Sequence, residues 1–249
     1  MRTETMPGKH TASPAIPFSW PGFARGVRLA LPVMMGYFPV GFAFGVLAVG
    51  AGITAFDAVF MSFAVYAGSA QLIAADLVQA GIAAVSIILT TFIVNLRHML
   101  MSAAVSPHLA GFSKPWLALF SAEMTDETFA LHIARFSSGT VDKGEILGIN
   151  AASHAMWVVS GLFGALLGDV FTDVKPYGLD YALCGMFIGL LLPHCRIPRR
   201  LAAALLASGL AVFFTLSGLA DWSAILATAI SATVIVVLTE TPGKKRHAR

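Results

Sequence analysis

Charge is what this chain has least of. Asp, Glu, Lys and Arg make up 12% of its 249 residues, about half the roughly 25% that wets a soluble domain. A soluble enzyme and a disordered chain are both excluded. Cysteine is nearly absent: Cys184 and Cys195 stand eleven positions apart, with no CxxC or Cys/His zinc spacing, so a single disulfide is conceivable but two free thiols buried among helices are expected. There is no Walker A loop, no GxSxG elbow and no HExxH pair, which removes a built-in ATPase and the commonest hydrolase sites. Ser153 and His154 are adjacent, which on a helix sets them about 100° apart and argues against an intramembrane Ser/His protease. Ten-residue alternating segments are missing too, so a transmembrane β-barrel is excluded. The net charge of +3 is too small to signal a nucleic-acid partner, and no cofactor is implied.

What the chain has in abundance is apolar length. Hydrophobic residues make up 57% and mean hydropathy is +0.79. Uncharged runs extend over Leu29–Phe56, Ile146–Gly168 and Leu201–Ala220, each long enough for the roughly 20 residues that span a bilayer core. Hydropathy and turn signals predict an all-α polytopic membrane protein with about eight transmembrane helices, near 27–50, 58–76, 82–105, 116–134, 146–168, 179–195, 201–218 and 222–239. With the N-terminus in the cytoplasm, thirteen basic residues fall inside, Lys114 and Lys175 fall outside, and Arg97 lies within a span. That asymmetry favours both termini inside. Residues 1–24 read as a flexible cytoplasmic arm, 25–240 as one transmembrane domain and 241–249 as a basic cytoplasmic tail. Small-xxx-small pairs at Gly41/Gly45, Gly164/Gly168 and Gly185/Gly189 predict close helix packing.

Polar groups inside these spans are the informative ones. The fourth span carries Glu123, Thr125, Asp126 and Glu127 near its middle, and each carboxylate costs about 2.5–3.5 kcal/mol if it faces lipid. Two readings stand open: a full span with an intramembrane acidic site, in which Glu123 and Glu127 share a face, or a loop or half-helix over 108–130. On the third span Thr91, Asn95, His98 and Ser102 share one face. Arg97 either snorkels outward or serves as counter-ion to the fourth-span carboxylates or to a substrate carboxylate. Pro32 and Pro39 suggest that the first span is discontinuous. The polar island Tyr66-Ala-Gly68-Ser69-Ala-Gln71 suggests the same of the second. Asn150 and His154, four apart on the fifth span, suggest a hydrogen-bonded pair.

The segments Pro39-Val-Gly41-Phe-Ala-Phe-Gly45, Tyr66 to Gln71, Asn95-Leu-Arg97-His98 and Thr125-Asp126-Glu127, in this order, resemble the AzlC family, the large subunit of bacterial branched-chain amino acid exporters. The likeness covers about residues 22–240. It implies a permease of the bacterial inner membrane that works with a small AzlD-type membrane subunit and exports branched-chain amino acids, using protons. A free amino acid needs acids for its ammonium group, to which Asp126 and Glu127 are suited. It needs donors for its carboxylate, to which Arg97, Asn95 and N–H groups near Gly68 are suited. Glu123, Thr125, His98, Ser69 and Gln71 complete the candidate set. The competing reading is a cation or metal-ion channel built on the same acids and histidines.

Overall fold

The computed structural model describes residues 18–139, 142–168 and 197–239, with a few isolated positions between the last two stretches. Residues 1–17 of the expected arm, the basic tail, most of the sixth span and Cys184 lie outside the described residues, and Cys195 is a free thiol. The arm ends earlier than expected, because residues 20–24 already belong to the helix Trp20–Gly50, capped by Ser19. All regular structure among the described residues is helical. The chain divides into two compact units, residues 1–186 and 187–249.

Among the described residues of the first unit three helices are long: α1 (Trp20–Gly50), α4 (Ala84–Val105, extended by a 3-10 turn Ser106–Leu109) and α7 (Lys143–Leu167). All three have the length and apolarity to cross a membrane. Between them lie four half-length helices: α2 (Ala55–Ala64), α3 (Gly68–Gln79), α5 (Lys114–Ala122) and α6 (Asp126–Ser138). A ten-residue helix is about 15 Å long, half a hydrocarbon core of about 30 Å.

Helices α1 and α7 run parallel along a glycine seam. At one end Ser19 Oγ donates to Asp142 Oδ2 at 2.7 Å, joining the caps of the two helices. Further along, a Cβ added at Gly26 would collide with the Glu145 carbonyl, at Gly45 with the Gly161 carbonyl, and at Gly164 with the Phe42 carbonyl. Removing the side chain lets the backbones touch, which is how helices associate where the hydrophobic effect is weak. The seam also corrects the first-span expectation. Helix α1 continues unbroken through Pro32 and Pro39, because both prolines lie on its exposed side while the opposite side is clamped to α7.

The second span breaks at 65–67, as the polar island suggested. Tyr66 adopts φ 44°, a left-handed conformation that costs a non-glycine residue about 1–2 kcal/mol. The chain then turns back. Helix α2 starts beside the end of α1, and α3 leads through a tight turn at Gly81 into α4. Both helices pack on the upper half of α1, in one cluster with Val40, Phe44 and Ala48. Ser62 of α2 faces Gln71 of α3 across the turn.

The fourth span is corrected more strongly. It is not one helix, and Glu123 and Glu127 do not share a helical face, because the chain breaks at 123–125. Phe120 of α5 meets His132 of α6, ring centroids 4.9 Å apart. Trp116, near the start of α5, lies 5.6 Å beneath Lys143 Nζ, and Arg135, near the end of α6, pairs with Glu145. Both ends of this segment therefore lie at the start of α7. Val105, at the end of α4, is in the same cluster as Ile146, so α4 runs antiparallel to α1 and α7. The sequence α1, α2–α3 and the sequence α4, α5–α6 thus repeat one plan, a long helix followed by a half-depth hairpin, in opposite directions. The hairpins enter from opposite ends and meet tip to tip.

The second unit is a helix pair, α8 (Pro198–Leu216) and α9 (Ala220–Thr239). Ser231 Oγ donates to the Ala203 carbonyl at 2.6 Å, satisfying a hydroxyl that would be costly to leave free in an apolar setting. Helix α8 is long and apolar enough to span, and α9 contains the apolar stretch Leu226–Leu238.

Candidate functional site

The two hairpin tips and α4 enclose a cavity of about 10 Å³, close to the room one water needs. Local sequence explains why polar groups collect there. Thr125 caps α6: its hydroxyl accepts from Thr128 N while the Thr128 hydroxyl accepts from Thr125 N. That capping box fixes the helix start at Asp126 and presents Asp126 and Glu127 on the first turn, where the positive end of the helix dipole favours carboxylates. Helix α3 starts at Gly68 with no side-chain cap. Its first residues, Gly68 and Ser69, line the cavity, and a helix start suits an anion.

Arg97 joins the tips. Its Nη1 lies 2.7 Å from Asp126 Oδ2 and its Nη2 donates to Ser69 Oγ. The Arg97 and Asp126 side chains are 26% and 24% exposed, so the arginine bridges inward and does not snorkel. Tyr37, from α1, donates to Glu127 Oε2 at 2.7 Å. Having spent its only proton there, it accepts from the Thr125 hydroxyl. The other Glu127 oxygen, Oε1, is buried without a protein partner. The site thus offers an arginine and helix N–H groups on one side and carboxylates on the other.

Of the sequence candidates, Gly68, Ser69, Arg97, His98, Thr125, Asp126 and Glu127 line this cavity, and three do not. Gln71 is a strut: its Oε1 accepts from Trp157 Nε1 at 3.0 Å and from Ala67 N at 3.2 Å, which stabilises the break below Tyr66. Asn95 lies two residues before Arg97, about 200° round the helix, and its Oδ1 is buried without a partner. Glu123 points away, to His154 on α7. The expected Asn150–His154 pair does not form. Asn150 Oδ1 accepts from His132 Nε2 at 2.7 Å, because the re-entrant course of α6 brings His132 alongside α7. Sequence reasoning did not assign Tyr37, Tyr66 or Trp157 to the site. Tyr37 is the sole phenol in the uncharged run Leu29–Phe56, and an unexplained hydroxyl in such a run was the available signal. Among the described residues no group of three or more His, Cys, Asp or Glu converges as a metal site would require.

Half-depth helices that meet end to end around charged groups, framed by helices long enough to cross a bilayer, define a membrane protein of the transport class. The chain belongs to the AzlC family, whose model matches residues 32–171, a stretch holding both hairpins, α4 and α7. It is 26% identical over 211 residues to the branched-chain amino acid transport protein AzlC of Bacillus subtilis, covering 82% of each chain. It is 30% identical over 176 residues to the inner membrane protein YgaZ of Escherichia coli, covering 68% of this chain and 72% of that one. An uncharacterized membrane protein of Archaeoglobus fulgidus is 28% identical over 215 residues, 86% of this chain and 93% of the relative. No solved structure matches the chain.

Proposed function

We propose that this chain exports branched-chain amino acids across the bacterial cytoplasmic membrane, by proton-coupled secondary transport and together with a small membrane subunit. The observation that carries the reading is the meeting of two hairpin tips around the Arg97–Asp126 pair. An amino acid is a zwitterion, and the site offers it complementary ends. Its carboxylate fits Arg97 and the N–H groups of Gly68 and Ser69; its ammonium group fits Asp126 and the free Glu127 oxygen. The name of the Bacillus subtilis relative supports the substrate class. A cavity of about 10 Å³ is far too small for leucine, so binding requires the tips to part. Separation on one side at a time would give alternating access.

With both hairpins read as re-entrant, the topology that follows has six crossings in place of eight: α1, α4, α7, α8 and α9, together with the span expected from sequence near 179–195, which keeps both termini inside. The α4–α5 connection then lies inside, which moves Lys114 to the cytoplasmic set and leaves Lys175 alone outside. The positive-inside asymmetry becomes stronger than with eight crossings. The test of function is efflux of radiolabelled L-leucine from vesicles containing the chain, with and without a co-expressed small subunit and with the proton gradient collapsed. Saturable efflux that needs the subunit and falls on collapse is expected. Absence of leucine movement under every condition would overturn the reading.

A further inference from the structure

Glu123 and His154 form a second charged centre, outside the central cavity. Glu123 closes α5 at the tip of the α5–α6 hairpin, the inner one in the six-crossing topology with α2–α3 the outer, and His154 projects from the middle of α7. The imidazole Nδ1 lies 2.9 Å from Oε2 and 3.1 Å from Oε1. Both side chains line a lateral groove of about 420 Å³ whose other walls are apolar except for Asn150. With a carboxylate on Nδ1, the neutral ring carries its proton on that nitrogen, and its lone pair is on Nε2. Nε2 is buried and has no protein partner. One ring nitrogen is anchored and the other is free to gain or lose a proton.

Packing ties this pair to both tips. The His154 ring stacks on Tyr66 at 4.1 Å and on Phe63 at 5.7 Å, and Tyr66 is the left-handed residue at the outer tip and a wall of the cavity. The ring thus touches the outer hairpin while its carboxylate belongs to the inner one. A change at either tip alters what the imidazole faces.

We infer that the Glu123–His154 pair is the proton-carrying site of the transporter, separate from the substrate cavity, and that Tyr66 links its protonation to the outer hairpin. The inference rests on the proton-coupled reading above. Unloaded, the pair is a carboxylate beside a neutral imidazole, with one net negative charge. Loaded, a proton bound at Nε2 makes an imidazolium beside the carboxylate, with no net charge, and no other bond forms or breaks. Tyr66 from the outer tip and Glu123 from α5 face the ring directly. Tyr37 of α1 and Glu127 of α6 lie beyond Tyr66, and His132 of α6 lies beyond Asn150.

The experiment uses the full chain reconstituted in liposomes, with two readouts on wild type, His154→Gln and Glu123→Gln. Difference infrared titration reads the protein's own proton uptake without any substrate. L-Leucine exchange at equal pH, compared with gradient-driven leucine flux, reads coupling. Wild type should take up one proton more than His154→Gln between about pH 5 and 8, where histidine titrates, and in Glu123→Gln that step should move to lower pH. His154→Gln should keep leucine exchange within about threefold while gradient-driven flux falls at least tenfold and its pH dependence flattens. An unchanged infrared titration in both variants would overturn the assignment, as would wild-type gradient-driven flux in His154→Gln. A titrating pair in a wild-type protein that moves no leucine would support the proton site and reject the amino-acid reading, so the two fail separately.

Discussion

At the scale of the residue, the site depends on a few side chains that each join two elements. Arg97 is the clearest, since it holds Asp126 of one tip and Ser69 of the other. Asp126→Asn keeps size but loses charge, leaving a partly buried guanidinium without its ion-pair partner. Removing one partner of a fully buried pair costs about 3–5 kcal/mol; a quarter-exposed pair should lose about 1–3 kcal/mol of stability. Leucine efflux should fall at least tenfold. Adding Arg97→Gln should restore part of the stability, read by thermal denaturation, and none of the efflux. Wild-type efflux in Asp126→Asn would remove the acid from the site. Tyr37→Phe is a finer probe. It deletes a hydrogen bond to a carboxylate, worth about 1.5–3 kcal/mol, and frees Glu127 from α1. The variant should fold, with leucine affinity reduced severalfold in a direct binding assay. Most of these residues were legible as unwelcome polarity in apolar runs. Gln71 was legible for the same reason but has a structural task, because sequence shows that a buried amide must be satisfied and not which partner satisfies it.

At the scale of the element, the seam between α1 and α7 and the breaks in the hairpins decide the architecture. Gly164→Val should drive its side chain into the Phe42 backbone and prevent assembly, seen as loss of folded protein in detergent. Gly36 belongs to the same helix as Gly41 and Gly45, but a Cβ added there would meet nothing within 4 Å. Gly36→Ala should be neutral or stabilising by up to about 1 kcal/mol, the helix propensity difference. If both variants behave alike, the seam is not what holds the helices. The long helices were readable from hydropathy. Gly41, Gly45 and Gly164 of the small-xxx-small pairs lie in the seam, because close approach leaves a spacing in the sequence; a Cβ at Gly168 would first meet the Val49 side chain, one at Gly185 would meet nothing within 4 Å, and Gly189 lies outside the described residues. The turn-back of the hairpins was not readable. A 19-residue apolar window with a break in its middle has the same composition whether the chain continues or reverses, and only the partners of Phe120, Trp116 and Arg135 decide between these. The same ambiguity hid the His154–Glu123 and His132–Asn150 pairings, which follow from the reversal.

At the scale of the whole molecule, the two topologies place two connections, the turn at Gly81 and the loop before α5, on opposite sides of the membrane. With Cys184 and Cys195 replaced by serine, Ser113→Cys should resist a membrane-impermeant maleimide added to intact cells and react once the cells are opened. Gly81→Cys, in the α3–α4 turn, should react from outside. Labelling of the first from outside would restore the continuous fourth span. The repeated plan also has a consequence for the transport cycle. A long helix with its hairpin is present in two copies facing opposite ways, α1–α3 and α4–α6, so each copy is roughly the other turned over. Any conformational difference between the two copies is then available in exchanged form. If one hairpin withdraws while the other stays, and the two then exchange roles, the closed site opens first to one side of the membrane and then to the other.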